Sequence, residues 1–266
     1  MNECWHQIAT ASPSPSALLL RYFCNGANGG SSYFVNKVRL YEYWKSNDAA
    51  VRSEFLQSRS LIFVNKQPLM STNKNAHAAV GPLAIAWAEN RALNRVLSDH
   101  GSRLSVEDSV LLDAVPMQTD SNDSFEQWVP LYAVGLSNMA DKARRSIADA
   151  FGGRWVDMRL AMLTAGEADA KMLAKAQTLI RWSRTFFHCP KCAHALQRPL
   201  SRAHALCDRC HQQYYAPVTP VAQCLIENES RTHTLLVNHR RSLPGMFTAV
   251  AGFCEPGECL QIVWHF

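Results

Sequence analysis

The amino-acid sequence predicts an α+β protein with a small metal-binding module in its C-terminal third. Strand-length apolar runs fill the middle of the chain, two segments with helical spacing follow, and two Cys-x-x-Cys pairs come next. With 266 residues, 47% hydrophobic and 18% charged, the chain is long and apolar enough to bury a core, which excludes a short disulfide scaffold and a fully disordered protein. No apolar run approaches the roughly 20 residues of a membrane-spanning helix, so we expect no membrane partner.

Residues 41–186 are predicted to form an N-terminal mixed α/β domain. Four apolar runs have the length of buried strands: 61–64, 82–88, 110–115 and 128–134. A helix is predicted from Ser137 to the glycines at 152 and 153, because its apolar residues recur at intervals of three and four. A second helix is predicted from Thr164, read as a capping box with Glu167, to about Trp182. No nucleophile, base and acid form a recognisable set in this domain.

Residues 1–40 have the composition of an organellar leader. Glu3 is their only acidic residue, and Ser, Ala, Gly and Asn are abundant among scattered basic residues. This composition predicts mitochondrial import, with a cytosolic or peroxisomal location as the alternative. A disordered segment without a targeting signal would have the same composition.

The strongest motif consists of two cysteine pairs, Cys189 with Cys192 and Cys207 with Cys210, separated by fourteen residues. Two residues between cysteines allow both sulfurs to face one ion, and a short hairpin brings the second pair across to complete a tetrahedron. We therefore predict a zinc ribbon over residues 187–216, with one structural zinc ion per chain. Four thiolates leave no open coordination position, so this zinc is not expected to catalyse hydrolysis.

Positive charge is concentrated around this ribbon. Residues 181–241 contain nine Lys or Arg and three acidic residues, a local charge of +6 in a chain whose net charge is +5. Arg198, Arg202 and Arg209 lie in the ribbon itself. Such a segment is typical either of a solvated basic surface or of one that binds a phosphate-bearing partner such as nucleic acid.

The residues after the ribbon resemble a known family. Gly252-x5-Glu258 matches the opening of a Nudix box, G-x5-E-x7-R-E-U-x-E-E-x-G-U, where U is a bulky apolar residue. Together with the four-cysteine ribbon, Tyr214-Tyr215-x-Pro217 and the run from Pro244 to Glu258, this opening resembles the NADH pyrophosphatase (NAD diphosphatase) branch of the Nudix hydrolases. The resemblance is close over residues 174–258. It implies that residues 217–266 are the first part of a Nudix α/β/α sandwich, incomplete in this chain.

The resemblance also implies an activity and a site. Members of this branch hydrolyse the pyrophosphate bond of NADH or NAD to nicotinamide mononucleotide and AMP, with Mg or Mn ions. The resemblance also implies a homodimer. NAD-capped RNA is a further expected substrate. By the same resemblance, Ala251 offers a metal ion its backbone carbonyl, Tyr215 lines the substrate pocket, and Glu258 orients the box by pairing with the motif arginine.

The chain departs from the box after its opening. The motif arginine is expected at position 266, where the sequence has Phe266, and the catalytic glutamates are expected at 267, 270 and 271. We therefore expect a truncated isoform or gene model whose activity is doubtful, because the carboxylates that hold the metal ions are missing. The alternative is a non-catalytic zinc-ribbon module that binds RNA or modulates a full-length subunit.

Overall fold

The computed structural model describes residues 30–72, 83–116, 128–240 and 245–258. The chain divides into two compact units, Met1–Ala216 and Pro217–Phe266, and this division falls where the sequence places the start of the Nudix segment. Residues 1–29 of the expected leader lie outside the described residues. The first helix begins at Gly30, so residues 30–40, which the sequence analysis places in the leader, are helical here.

The first unit contains all six described helices and most of the strands. The helices are α1 (Gly30–Ser46), α2 (Asp48–Glu54), α3 (Asn90–Ser98), α4 (Asp141–Ala150), α5 (Met158–Thr164) and α6 (Glu167–Thr185). The strands of this unit are β1 (Arg59–Val64), β2 (Gln67–Thr72), β3 (Leu83–Ile85), β4 (Ala88–Glu89), β5 (Ser109–Pro116), β6 (Trp128–Leu136), β7 (Arg154–Trp155), β8 (Ala205–Leu206) and β9 (Gln213–Tyr214). Short 3-10 turns occupy Phe55–Gln57 and Val106–Asp108.

A mixed seven-stranded sheet forms the centre of this unit. Its main order is β3-β2-β1-β6-β5, with β4 paired to β1 and β7 paired to β2. The neighbours β1 and β6 are parallel, in a register that runs from Arg59 opposite Leu131 to Val64 opposite Leu136. All other pairs in this sheet are antiparallel. The prediction of an α+β class with a mixed N-terminal domain is confirmed.

Both faces of the sheet are covered by helices. Strand β1 has five buried residues in succession, which is typical of a central strand with apolar layers on both sides. Ile62 packs with Val51 of α2 and Leu93 of α3 on one face. Its neighbour Leu61 packs with Leu173 of α6 on the other. The domain therefore has three layers, and α6 leads from the second face directly into the cysteine ribbon.

Local signals explain where several helices begin. The side chain of Asn47 accepts a hydrogen bond from the Ala50 amide at 3.0 Å and starts α2. Asp157 accepts from the amide of Arg159 at 2.9 Å and starts α5. The expected capping box at Thr164 is wrong, because Thr164 ends α5 and its hydroxyl donates to the Leu160 carbonyl. The predicted helix corresponds to α6, which begins at Glu167 after the separate helix α5.

The remaining sequence predictions for residues 41–186 agree with the described elements apart from their ends. Runs 61–64, 110–115 and 128–134 lie in β1, β5 and β6. The run at 82–88 is divided between β3 and β4, and the helix expected from Ser137 begins at Asp141. Within the described ranges, none of the helices combines the length and apolar character that crossing a bilayer requires.

The second unit contains four described strands in two pairs. They are β10 (Val221–Cys224), β11 (Ile226–Glu227), β12 (Thr234–Leu235) and β13 (Val250–Phe253). Strand β10 pairs with β13, and β11 pairs with β12, both antiparallel. Large apolar side chains are exposed throughout the described part of this unit: Val218, Val221, Leu225, Ile226, Leu235, Leu236, Met246, Phe247 and Phe253.

Candidate functional site: a four-cysteine ribbon and a box opening

The two cysteine pairs lie in turns of the same geometry, which we call the first knuckle (residues 189–193) and the second knuckle (residues 207–211). In each, the amide of the fifth residue donates to the carbonyl of the first cysteine at 2.8 Å. The fifth residues, Ala193 and His211, have left-handed φ values of 57° and 55°. The repeated geometry directs both sulfurs of each pair to one side.

The four thiols converge on one point. Every sulfur of Cys189, Cys192, Cys207 and Cys210 lies within 4.8 Å of the others. The separation is 3.5 Å from Cys189 Sγ to Cys210 Sγ and 3.4 Å from Cys192 Sγ to Cys207 Sγ, which is too long for a disulfide bond. A tetrahedral zinc ion with Zn–S bonds of about 2.3 Å requires sulfurs about 3.8 Å apart. The all-sulfur donor set and its spacing therefore fit zinc.

Tyr214 supports this cluster, and sequence reasoning missed it in favour of its neighbour Tyr215. Its hydroxyl lies 3.1 Å from Cys189 Sγ, and its ring meets that of Phe186 edge to face at 5.4 Å. Burial opposes ionisation of Cys189, but hydrogen bonds from Tyr214 and from nearby backbone amides outweigh it and lower the pKa of this thiol to about 6. The same hydrogen bond, with burial, raises the pKa of Tyr214 to about 12. Tyr214 therefore donates to the Cys189 thiolate.

The ribbon is anchored to the N-terminal domain by its loop at residues 198–202. Ser201 is fully buried, its carbonyl accepts from the Leu111 amide of β5 at 3.0 Å, and its hydroxyl donates to the Lys45 carbonyl at 2.9 Å. The amide of Leu200 donates to Asp48 at 2.8 Å. These contacts cover the β5 edge of the sheet and join ribbon and domain into one unit.

Two of the arginines assigned to the basic surface also serve this junction. Arg198 donates to the Phe186 carbonyl, and its guanidinium carbon lies 4.5 Å from the centre of the Trp182 ring. Arg202 donates to the Glu107 carbonyl at 2.7 Å. Arg209, at the tip of the second knuckle, is exposed. Of the three ribbon arginines, Arg198 and Arg202 therefore have partners at this junction, and Arg209 is exposed.

Replacing Arg198 with alanine is expected to lower the free energy of unfolding by about 2–4 kcal/mol. The change removes a partly buried cation–π contact and a charged hydrogen bond, which contribute about 0.5–2 and 1.5–3 kcal/mol in proteins. Urea unfolding followed by tryptophan fluorescence measures the change. Arg209→Ala, at an exposed site, is the matched control and should shift the value by less than about 0.5 kcal/mol. Equal effects of the two variants would show that Arg198 does not anchor the ribbon.

Tyr215 follows the second knuckle and is 63% exposed. Its ring centre lies 6.3 Å from that of His204, in a tilted arrangement. Burial, with the positive charge of Lys45 adding to it, lowers the pKa of His204. Tyr215 thus presents a free aromatic surface to solvent, as a residue that stacks on a ligand requires.

The strands of the second unit pair differently from the β-hairpin that its apolar runs suggest. The sequence suggests that residues 221–226 pair with 234–238, but only Ile226 and Glu227 pair with Leu235 and Thr234. Strand β10 pairs instead with β13 over four positions, from Val221 opposite Phe253 to Cys224 opposite Val250. The longer ladder satisfies more backbone groups than the short hairpin offers, which favours this partner.

The box opening begins in β13 and ends in a closed turn. Ala251 is exposed in β13, opposite Gln223. The Glu258 amide donates to the Glu255 carbonyl at 3.0 Å, and the Glu258 carboxylate accepts from the Glu255 amide at 2.8 Å. Gly257 has φ of 91°, which only glycine adopts without strain. The turn lines an open groove of about 640 Å³ with residues 218–220.

Known proteins similar to this chain are named as NAD-capped RNA hydrolases or as an NAD(P)H pyrophosphatase. The chain is 34% identical over 238 residues to the NAD-capped RNA hydrolase ndx-9 of Caenorhabditis elegans, covering 85% of this chain and 60% of that protein. It is 26% identical over 235 residues to the mitochondrial NAD(P)H pyrophosphatase NUDT13 of Homo sapiens, covering 86% and 62%. It is 33% identical over 117 residues to the NAD-capped RNA hydrolase NudC of Chromobacterium violaceum, covering 42% of each. No family model matches the chain.

A cysteine ribbon followed by the opening of a Nudix box defines a ribbon-containing protein of the Nudix class. Within that class, the chain belongs to the NADH pyrophosphatase family of Nudix hydrolases. The chain spans about 60% of the length of the first two relatives.

Proposed function

We propose that this protein hydrolyses the pyrophosphate bond of NADH or NAD, free or as the 5′ cap of an RNA, and releases nicotinamide mononucleotide and AMP or an RNA 5′-phosphate. The observation that carries the proposal is the 34% identity over 238 residues to an NAD-capped RNA hydrolase. The name of the human relative, an NAD(P)H pyrophosphatase, supports the same bond as the target.

In this proposal the chain contributes three parts to the enzyme. These are the N-terminal domain over residues 41–186, the ribbon over residues 187–216, and the first part of a Nudix domain over residues 217–266. Cys189, Cys192, Cys207 and Cys210 hold one zinc ion, supported by the convergence of their sulfurs. The hydrogen bond from Tyr214 stabilises the thiolate of Cys189 and orients it.

The substrate contacts proposed for this chain are few. Tyr215 lines the pocket and stacks on a flat ring of the dinucleotide, supported by its exposed aromatic face. The carbonyl of Ala251 would be a ligand of the metal ion, and Glu258 keeps the box in place from its closed turn. Magnesium or manganese, when bound, supplies positive charge that offsets the pyrophosphate and activates water. The box pattern assigns the carboxylates for this metal to positions after Glu258.

An assay of a grafted chain tests the proposal. The grafted chain joins residues 1–258 to a segment that continues the box pattern through its arginine and glutamates. Release of nicotinamide mononucleotide and AMP from NADH with Mg or Mn is measured by chromatography. Turnover that disappears when the grafted glutamates become glutamine supports the proposal, and no turnover by a folded, zinc-loaded grafted chain contradicts it.

A second candidate function is a non-catalytic one. The N-terminal domain and the ribbon form a compact unit without the second unit. This unit is sufficient for a module that binds RNA or forms a dimer with a full-length subunit and changes its activity. Mixing the 266-residue chain with the grafted chain distinguishes the two functions, because only a modulating partner alters turnover by the grafted chain.

We also propose that the leader directs the protein to mitochondria. The composition of residues 1–40 and the mitochondrial relatives in Homo sapiens and Mus musculus support this location. A fusion of residues 1–40 to a fluorescent protein is expected to enter mitochondria in cultured cells. Replacing Arg21, Lys37 and Arg39 with glutamine should leave that fusion diffuse, because import requires positive charge. A diffuse or peroxisomal signal from the unaltered fusion would contradict the proposal.

A further inference from the structure

The ribbon has an outer sheet face to which neither the zinc site nor the N-terminal domain assigns a role. Residues opposite each other in an antiparallel pair point to the same face, and residues two apart on a strand do so as well. The pairs are His188 with Ala195, Gln197 with Leu206, and Leu206 with Gln213. These residues and Tyr215 are all exposed and form what we call the ribbon face: His188, Ala195, Gln197, Leu206, Gln213 and Tyr215.

The opposite face of the same strands has a different environment. Ala205 is fully buried, and its partner Tyr214 contacts Cys189. Cys207, two residues after Ala205, is also fully buried. The inward face therefore serves the cysteine cluster, which leaves the ribbon face free for a partner.

The chemistry of the ribbon face suits a nucleic-acid strand. Leu206 is 38% exposed between the amides of Gln197 and Gln213, which donate and accept hydrogen bonds. Tyr215, two residues after Gln213, is the residue proposed above to stack on a ring of the dinucleotide cap, so the rest of the face is available to the RNA that follows. The face carries no carboxylate.

The charge of the ribbon is also complementary to RNA. Residues 187–216 contain four Lys or Arg and a single acidic residue, Asp208; Arg198 and Arg202 contact the junction with the N-terminal domain, which leaves Lys191 and Arg209. Lys191 and Arg209 occupy the same position in the first and second knuckles, and both are exposed. Two exposed cations at equivalent sites can contact phosphates and contribute a salt-dependent attraction to RNA.

We propose that the ribbon face binds the single-stranded RNA that follows an NAD cap. This inference rests on the proposed function, since it extends that function from the dinucleotide to the body of a capped transcript. Single-stranded RNA is bound through stacking on exposed aromatic and apolar side chains, hydrogen bonds to base edges and contacts to phosphates. The ribbon face, with Lys191 and Arg209, supplies all three.

The test measures binding of an unstructured, 5′-labelled, uncapped RNA of about 12 nucleotides to the zinc-loaded 266-residue chain by fluorescence anisotropy. The variant Gln197→Glu with Gln213→Glu keeps side-chain size and places two negative charges on the ribbon face. The control, Gln57→Glu with Gln177→Glu, makes the same charge change on the N-terminal domain. The face variant is expected to weaken binding about tenfold at low salt and the control less than about twofold.

Several outcomes would overturn the inference. Equal weakening by both variants would show a general charge effect, and no weakening would show that RNA does not contact the face. A change of oligomeric state in the face variant, measured by light scattering at unchanged RNA affinity, would assign the face to a second copy of the chain. Zinc content measured for each variant excludes unfolding. Turnover of NADH by the grafted chain decides the proposed function independently of these results.

Discussion

Replacing Cys207 with serine is expected to reduce bound zinc from about one ion per chain to nearly none and to unfold the ribbon. Cys207 is fully buried, and its sulfur lies 3.4 Å from that of Cys192. A structural zinc ion contributes about 10–16 kcal/mol of apparent binding free energy in small ribbons, comparable with the whole stability of a domain. A site with three sulfurs and a hydroxyl cannot retain that free energy.

The effect should extend beyond the ribbon. The anchoring contacts of Ser201, Leu200 and Arg202 require an ordered ribbon loop. Their loss would expose the β5 edge of the central sheet, so we expect aggregation as well as metal loss. Zinc is measured by mass spectrometry of the purified chain, and local unfolding by hydrogen exchange of residues 187–216.

Cys254→Ser is the matched control for this experiment. Cys254 is a free, partly exposed cysteine in the second unit and does not belong to the four-sulfur cluster. It should retain about one zinc ion per chain with unchanged exchange in the ribbon. Full zinc content in the Cys207 variant, or zinc loss in the control, would contradict the assignment of the ligands.

The grafted chain is expected to cleave NADH at least about 10³-fold faster than a polypeptide limited to residues 1–266. Metal ions stabilise the charge of a phosphoryl transition state by several kcal/mol, and each 1.36 kcal/mol corresponds to a tenfold rate. The box pattern assigns the glutamates that hold these ions to positions after Glu258. Ala251 and Glu258 alone offer one carbonyl and one carboxylate, the latter hydrogen-bonded to the Glu255 amide.

Single-turnover assays with excess polypeptide allow a low rate to be detected. The grafted chain with glutamine in place of its box glutamates controls for folding, since it restores the same segment without the charges. Comparable rates from the 266-residue polypeptide and the grafted chain would show that acidic residues within these 266 hold the metal. In that case the groove beside Glu255 and Glu258 would be the first place to examine.

The cysteine ribbon is the feature that sequence alone predicts best. Each knuckle is a five-residue turn closed by its own backbone hydrogen bonds, so the spacing of two cysteines largely determines the geometry. The strand-length runs in β1, β5 and β6 are equally local, because a central strand needs a short unbroken apolar run. Helix α1 and strand β2 have weaker patterns and were not predicted.

The partners of several residues were determined only by the tertiary structure. Arg198 and Arg202 have the same charge as Arg209, yet they bind carbonyls of Phe186 and Glu107, twelve and 95 residues away in the chain. Sequence spacing contains no information about such contacts.

Tyr214 and Tyr215 also show the difference between what the sequence predicts and what only the tertiary structure decides. By itself the sequence indicated the two cysteine pairs, the strand-length runs of the N-terminal domain and the opening of a Nudix box, because each depends on residues close together in the chain. The tertiary structure decided that Tyr214 faces Cys189 while Tyr215 faces solvent, and that β10 pairs with β13. The physical reason is that burial and strand pairing depend on segments brought together only by folding.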